Sequence, residues 1–213
     1  FSDIRREVGS ISPALLARRL RELERLGLVE RIEDRASGAV GYLRTEMAVA
    51  LEPALNGLAE WAQRHIEAEF ALATVDASTL MWKMRQFILA EELPDRRLVL
   101  QFRFADEGLA CDTYWAVVCR HGGVEICSAI PGFEIDLFVE TSVTSLGGIL
   151  LGRTTLARER DLGETFISGD ALIARSMDRW LKVSDYARID GIGMLPERRR
   201  AGAGPRRGLR RSA

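Results

Sequence analysis

The chain is poor in the residue types that most often announce catalysis or metal binding. It holds three cysteines (Cys111, Cys119, Cys127) and two histidines (His65, His121) in 213 residues. An odd number of cysteines without C-x-x-C spacing points to neither a disulfide framework nor a zinc site, and fits a reducing, cytoplasmic compartment. The histidines lie far apart, and no H-E-x-x-H, G-x-S-x-G or G-x-x-x-x-G-K-[ST] occurs. No enzyme activity, cofactor or metal is therefore expected. No stretch approaches 18 uninterrupted apolar residues, so no membrane span is expected. The opening FSDIRREVGS lacks the basic-then-apolar plan of a signal peptide. It also begins without Met, as a chain entered partway through a domain would. With a net charge of −1, the chain as a whole does not advertise a nucleic-acid partner.

What is present is the composition of a globular protein, 47% hydrophobic and 29% charged, enough for one or two domains. Phe1–Val8 reads as a short helix capped by Ser2, with Ile4 and Val8 on one face. Ser12 is placed to cap a second helix, and Pro13 sits at its first position, where a missing N–H costs nothing. This helix runs to about Leu26, and Gly27 supplies a left-handed stop. Leu28–Asp34 is strand-like, residues 35–41 form a loop with two glycines, and Tyr42–Met47 returns as a strand. Val49–Leu72 reads as one long helix, with Leu51, Leu55, Leu58 and Ala62 at i, i+4, i+7 and i+11. Residues 73–79 break the pattern and mark the expected linker.

In the helix ALLARRLRELERL, Leu16, Leu20 and Leu23 define the expected buried stripe. Arg18, Arg21 and Arg25 gather roughly 140–200° away from Leu16. The ordinary use of such a ridge is a solvated face ion-paired to Glu22 and Glu24. A preceding short helix and a following two-stranded wing change that reading, because this order sets a helix into the major groove and a loop over the phosphates. Arginine serves both contacts, as a bidentate partner of guanine and as a phosphate partner.

The phrase FSDIRREVGSISPALLARRLRELERLGLVER resembles HxlR-type winged helix-turn-helix regulators. It matches at Phe1, Ser2, Ile11, Ser12, Leu16, Arg19, Leu20, Leu23, Gly27, Leu28, Val29 and Arg31, and LEPALNGLAEW is similar to that family's dimerisation helix. Arg44 stands where the returning strand usually carries an apolar residue, and the family's first helix, with its cysteine, is missing from this sequence. The resemblance implies a homodimer on double-stranded DNA. The expected DNA contacts are Ser2, Ser12, Ala14, Arg18, Arg21, Arg25 and Arg35, with Leu51, Leu55, Leu58 and Trp61 at the dimer contact.

Beyond Asp76, the pattern is a helix over Ser78–Leu93, then a small antiparallel sheet with helices and a closing helix over Asp170–Leu181. In one strand Thr113, Trp115, Val117 and Cys119 face one way, and Tyr114, Ala116, Val118 and Arg120 the other. The run from Ile135 to Leu181 is similar to the sterol-carrier-protein-type lipid-binding fold. The features that carry the likeness are Asp136, Thr141, Ser142, Gly152, Ile167–Asp170 and Arg179–Leu181. That likeness implies an apolar tunnel lined by Trp115, Phe138, Leu146, Ile149, Leu150 and Phe166, residues that would otherwise simply fill a core. The cysteines read as small buried apolar residues. The Arg-rich end serves either to attract phosphates or as a solvated, disordered tail.

The expected fold class is α+β: a winged helix-turn-helix over residues 1–72, a sterol-carrier-protein-like domain over 76–188, and the tail over 196–213. The expected function is a transcriptional regulator with an apolar small-molecule effector. The rival reading is an apolar-molecule carrier or sensor whose first region only dimerises.

Overall fold

The computed structural model describes residues 1, 4, 5, 8, 11–33 and 38–196. The expected Ser2 cap, the Arg35 phosphate contact and residues 197–213 of the expected tail lie outside them. Of the expected first helix, Ile4, Arg5 and Val8 are helical.

Helix α1 (Pro13–Arg25) starts where Ser12, in extended conformation, accepts the Leu15 N–H on its hydroxyl at 3.2 Å. It ends where Gly27 adopts φ 70°, and the Leu28 and Gly27 amides donate to Leu23 and Glu24 carbonyls. These two bonds close the last turn as a Schellman motif, which needs the left-handed glycine. Strands β1 (Val29–Glu33) and β2 (Val40–Arg44) pair antiparallel as the wing. Thr45 then caps α2 (Glu46–His65), and its hydroxyl donates to the Gly27 carbonyl at 2.6 Å, tying the end of α1 to the start of α2. Among the described residues before Gln63, only Leu16 and Leu20 are buried; Leu23, expected in the same stripe, stays 36% exposed.

The expected long helix over 49–72 divides. Ile66 is extended (φ −94°, ψ 125°), and a separate helix, α3 (Ala68–Leu72), follows. Ala68 and Leu72 of α3 pack with Leu195, in the second half of the chain. Helix α4 (Ala77–Met84) opens on Asp76, whose carboxylate accepts the Thr79 N–H at 2.9 Å. Hydrogen bonding from the Thr79 side chain, and secondarily from its amide, holds the Asp76 carboxyl below the usual carboxylate range. The helix expected to reach Leu93 stops at Met84 instead. Its backbone is taken up by a bridge to the far end of the chain, with Leu89 N–H on the Trp180 carbonyl and Lys182 N–H on the Phe87 carbonyl.

The sheet comprises β3 (Leu98–Phe104), β4 (Thr113–Cys119), β5 (Gly123–Cys127), β6 (Leu137–Thr141) and β7 (Phe166–Gly169), in the order β5-β4-β3-β6-β7. It is mixed, not antiparallel as expected, because β3 and β6 run parallel at its centre. Helices α5 (Val143–Leu150) and α6 (Leu156–Asp161) connect β6 to β7. The closing helix breaks at Ser176 into α7 (Ala171–Arg175) and α8 (Met177–Trp180). The Ser176 hydroxyl takes the Leu172 carbonyl and the Trp180 indole takes that of Ile173, so side chains replace backbone partners there.

One face of this sheet builds the core. Leu98, Leu100, Phe102 and Phe104 of β3, with Tyr114, Ala116 and Val118 of β4, meet Met81, Met84, Leu146, Leu150, Ile173 and Trp180 from the helices. Most are under 3% exposed. The period-2 alternation of strand side chains sends the odd-numbered β4 set to the other face.

Candidate functional site

On α1, Ala14, Arg18, Arg21 and Arg25 fall at i, i+4, i+7 and i+11, and all four are exposed. Ser12 is exposed at the start of the same helix, its hydroxyl engaged as the cap. Glu22 reaches Arg18 Nε at 2.9 Å and Arg19 Nη1 at 2.8 Å. Hydrogen bonding from Arg19, then from Arg18, holds the Glu22 carboxyl below its usual range. Arg18 is thus partly neutralised, whereas Arg21 and Arg25 form no ion pair among the described residues. The cationic character of the ridge sits mainly on those two. Across the wing, Arg44 points outward to Glu52 at 3.2 Å, so a charge at this position of β2 is accommodated at the surface.

Helix α2 leaves its apolar row in the open: Leu51, Leu55, Leu58 and Trp61 are 42%, 56%, 61% and 51% exposed. Its other side is docked. Tyr186 Oη donates to Asn56 Oδ1 at 2.6 Å, and Arg64 Nε donates to the Asp190 carbonyl at 3.1 Å.

The end of α2 carries a feature that the sequence does not signal. Arg153, only 2% exposed, donates from Nε to Gln63 Oε1 at 2.8 Å. Its Nη1 donates to the Ile66 and Gly193 carbonyls at 2.7 and 3.2 Å, and its Nη2 to Ala62 at 3.1 Å. Gln63 returns a bond from Nε2 to the Leu151 carbonyl at 2.9 Å. A guanidinium presents five donors in a planar fork, and the last turn of a helix presents free carbonyls and partial negative charge. The two fit each other without a carboxylate. Burial lowers the Arg153 pKa from the ordinary guanidinium value. The Ala62 carbonyl shares Arg153 with the Ile66 amide, and the Gln63 carbonyl, next in line to continue the helix, accepts the Gly193 N–H at 2.9 Å instead, so α2 stops at His65.

The residues expected to line one tunnel are not brought together. Leu146, Ile149 and Leu150 lie in the core on the helical side of the sheet. Phe138, registered beside Gln101, which in turn faces Trp115, lies with that tryptophan on the opposite side. Phe166 pairs with Glu140 on that same side, and Phe138 and Phe166 are 42% and 56% exposed. Strand parity separates the two groups by the thickness of the sheet. Trp115 is itself buried, and its indole N–H has no hydrogen-bond partner among the described residues.

A different cleft, of about 450 Å³, opens between the 72–75 turn, α4 and α5; Leu72, Leu80, Phe87, Leu150 and Leu151 contribute to its walls. All three cysteines are free and half-buried, rather than buried as expected. Among the described residues no group of three or more His, Cys, Asp or Glu side chains is placed to hold a metal ion. No helix of the described residues is long and apolar enough to cross a membrane.

The HxlR-like helix-turn-helix family matches residues 1–70. An HTH-type transcriptional regulator of Bacillus subtilis (strain 168), YkvN, described as uncharacterised, is 35% identical over 71 residues, 33% of this chain and 60% of that protein. A second uncharacterised HTH-type transcriptional regulator, from Methanothermobacter thermautotrophicus, is 36% identical over 66 residues, 30% of this chain and 50% of its own. The chain thus spans 50–60% of the length of these relatives. Among solved structures, sterol carrier protein 2 from Yarrowia lipolytica aligns with a TM-score of 0.32 and 11% identity, over 52% of this chain and 80% of that one. The sec-alkylsulfatase Pisa1 from a Pseudomonas species aligns with a TM-score of 0.42 and 11% identity, over 54% of this chain and 17% of its own. Residues 1–70 of this protein thus match the HxlR-like helix-turn-helix family, and a mixed sheet-and-helix region follows them.

Proposed function

We propose that the protein is a homodimeric, DNA-binding transcriptional regulator whose second domain takes an apolar small-molecule effector. The observation that carries the DNA reading is the exposed Ala14–Arg18–Arg21–Arg25 line on a helix followed directly by the β1–β2 wing. In this arrangement the helix enters the major groove and the wing meets the backbone. Arg21 and Arg25 act on base edges and phosphates, Ser12 and Ala14 lie at the end of the helix nearest the bases, and Arg35, between the two wing strands in sequence, serves as a phosphate partner. Arg18 joins them once Glu22 is displaced.

The test is selection from a pool of random duplexes followed by sequencing of the bound fraction. A two-fold symmetric motif, with half-sites about one helical turn apart, is the expected outcome. Recovery of a pool no different from the input would remove the DNA-reading function.

The open row on α2 supports the dimer. Four large apolar side chains on one exposed helix face form a patch of the kind that marks an interaction surface. Glutamate at both Leu55 and Leu58 is expected to give a monomer in sedimentation while leaving the second domain folded, since neither side chain belongs to its core. A variant that still sediments as a dimer would place the interface elsewhere.

The effector reading rests on the cleft between the 72–75 turn, α4 and α5. An effector alters DNA affinity only by the difference between its affinities for the two states of the protein. The docking of α2 on Arg153 supplies the path by which that difference is felt at α1 and the wing.

A further inference from the structure

The walls of the cleft between the 72–75 turn, α4 and α5 are apolar, yet the cleft is not uncharged. Leu72, Val75, Leu80, Phe87, Leu150 and Leu151 give it an apolar lining, and one ionisable side chain, Lys83, stands among the lining residues. Lys83 is exposed and forms no ion pair among the described residues. The volume of about 450 Å³ lies inside the usual range for small-molecule sites. An apolar trough with one unpaired ammonium at its edge is complementary to a molecule built the same way round. An anionic group placed beside the ammonium is attracted to it, a neutral one gains nothing from it, and a cationic one is repelled by it.

We propose that this cleft binds an amphiphile with an apolar body and a single anionic group, the body against Leu80, Phe87 and Leu150 and the anion at Lys83. The proposal rests on the reading of the second domain as an effector domain, and adds to it the place and the charge of the ligand. The place matters for coupling. Leu151 is both a wall of the cleft and, through its carbonyl, the acceptor of the Gln63 amide at the end of α2. Gly147 forms part of the floor, where even a Cβ would come within 2.8 Å of Leu72 Cδ2, so α5 and α3 approach closely and an occupant bears on both.

The experiment is calorimetric titration of the full chain with dodecanoate, dodecanol and dodecyltrimethylammonium, each below its micelle concentration. Dodecanoate is expected to bind about tenfold more tightly than dodecanol, the size of one hydrogen bond to a charged group. That preference should disappear in Lys83→Gln while dodecanol binding stays unchanged. Thr74→Trp, which fills the rim from an exposed turn position, should abolish binding of both. Equal affinity for dodecanoate and dodecanol, a preference that survives Lys83→Gln, or undiminished binding to Thr74→Trp would each overturn the proposal while leaving an apolar-effector domain standing. Failure of all three probes to bind would remove both.

Discussion

Arg153→Ala is expected to destabilise the protein by about 3 kcal/mol, because it strips the donor from several partly buried acceptors at once. Gln63 Oε1 and the carbonyls of Ala62, Ile66 and Gly193 would lose their shared partner. For a chain of this size the loss corresponds to a fall in melting temperature of roughly 10 °C. It should be accompanied by faster hydrogen exchange in the last turn of α2, whose C-terminal carbonyls the guanidinium caps. Arg153→Lys keeps the charge but not the planar fork, and should recover only part of the stability. A thermal unfolding scan and native-state hydrogen exchange decide the matter. A parent-like melting temperature with unchanged exchange at residues 62–66 would show that the guanidinium does not hold α2 in place.

The second large effect is expected at Trp180, which is fully buried and donates its indole N–H to the Ile173 carbonyl at 2.9 Å. Its backbone carbonyl also accepts from Leu89, so one residue closes both the α7–α8 break and the bridge to residues 87–89. Trp180→Ala is expected to cost about 3–5 kcal/mol, through lost burial and the cavity left behind. Trp180→Phe, which keeps much of the volume and loses the hydrogen bond, should cost less than half as much. Urea unfolding reads both, as a lowered midpoint at unchanged slope. A Trp180→Ala midpoint within experimental error of the parent would mean that the 87–89/180–182 bridge is not part of the cooperative unit.

The parts of the fold that were legible in the sequence are those decided by local rules. Ser12, Pro13 and Gly27 bound α1 because caps, a fixed proline φ and a left-handed glycine act within a few residues of themselves. Strand parity in β4 was legible too, but not which face would be covered. That is decided by where the helices pack, and it is why Trp115 and Leu146 were expected in one tunnel and lie on opposite sides of the sheet. The helices that broke early did so for non-local reasons. The helix before Ile66 yields to the Gly193 amide on the Gln63 carbonyl, and the residues after Met84 yield to a strand-like bridge with Leu181. Arg153 itself, an arginine following an apolar helix, reads in sequence as an ordinary surface charge. Its partner Gln63 lies 90 positions away, and no spacing rule reaches that far. The cleft at Lys83 was hidden for the same reason, since its walls come from three separated segments.

The arginine ridge divides by the company each side chain keeps. Arg18 shares Glu22 with Arg19, while Arg21 and Arg25 stand clear of any ion pair among the described residues. The measurement that tests the central claim most directly is therefore a titration of parent and Arg21→Ala against an enriched duplex and a random duplex at several salt concentrations. If α1 lies in the groove, Arg21→Ala should weaken binding to the enriched duplex by about 1–3 kcal/mol and flatten its salt dependence by about one unit of slope. Binding by Arg21→Ala that matches the parent on both duplexes at every salt concentration would contradict the account, and would leave the ridge as a solvated face.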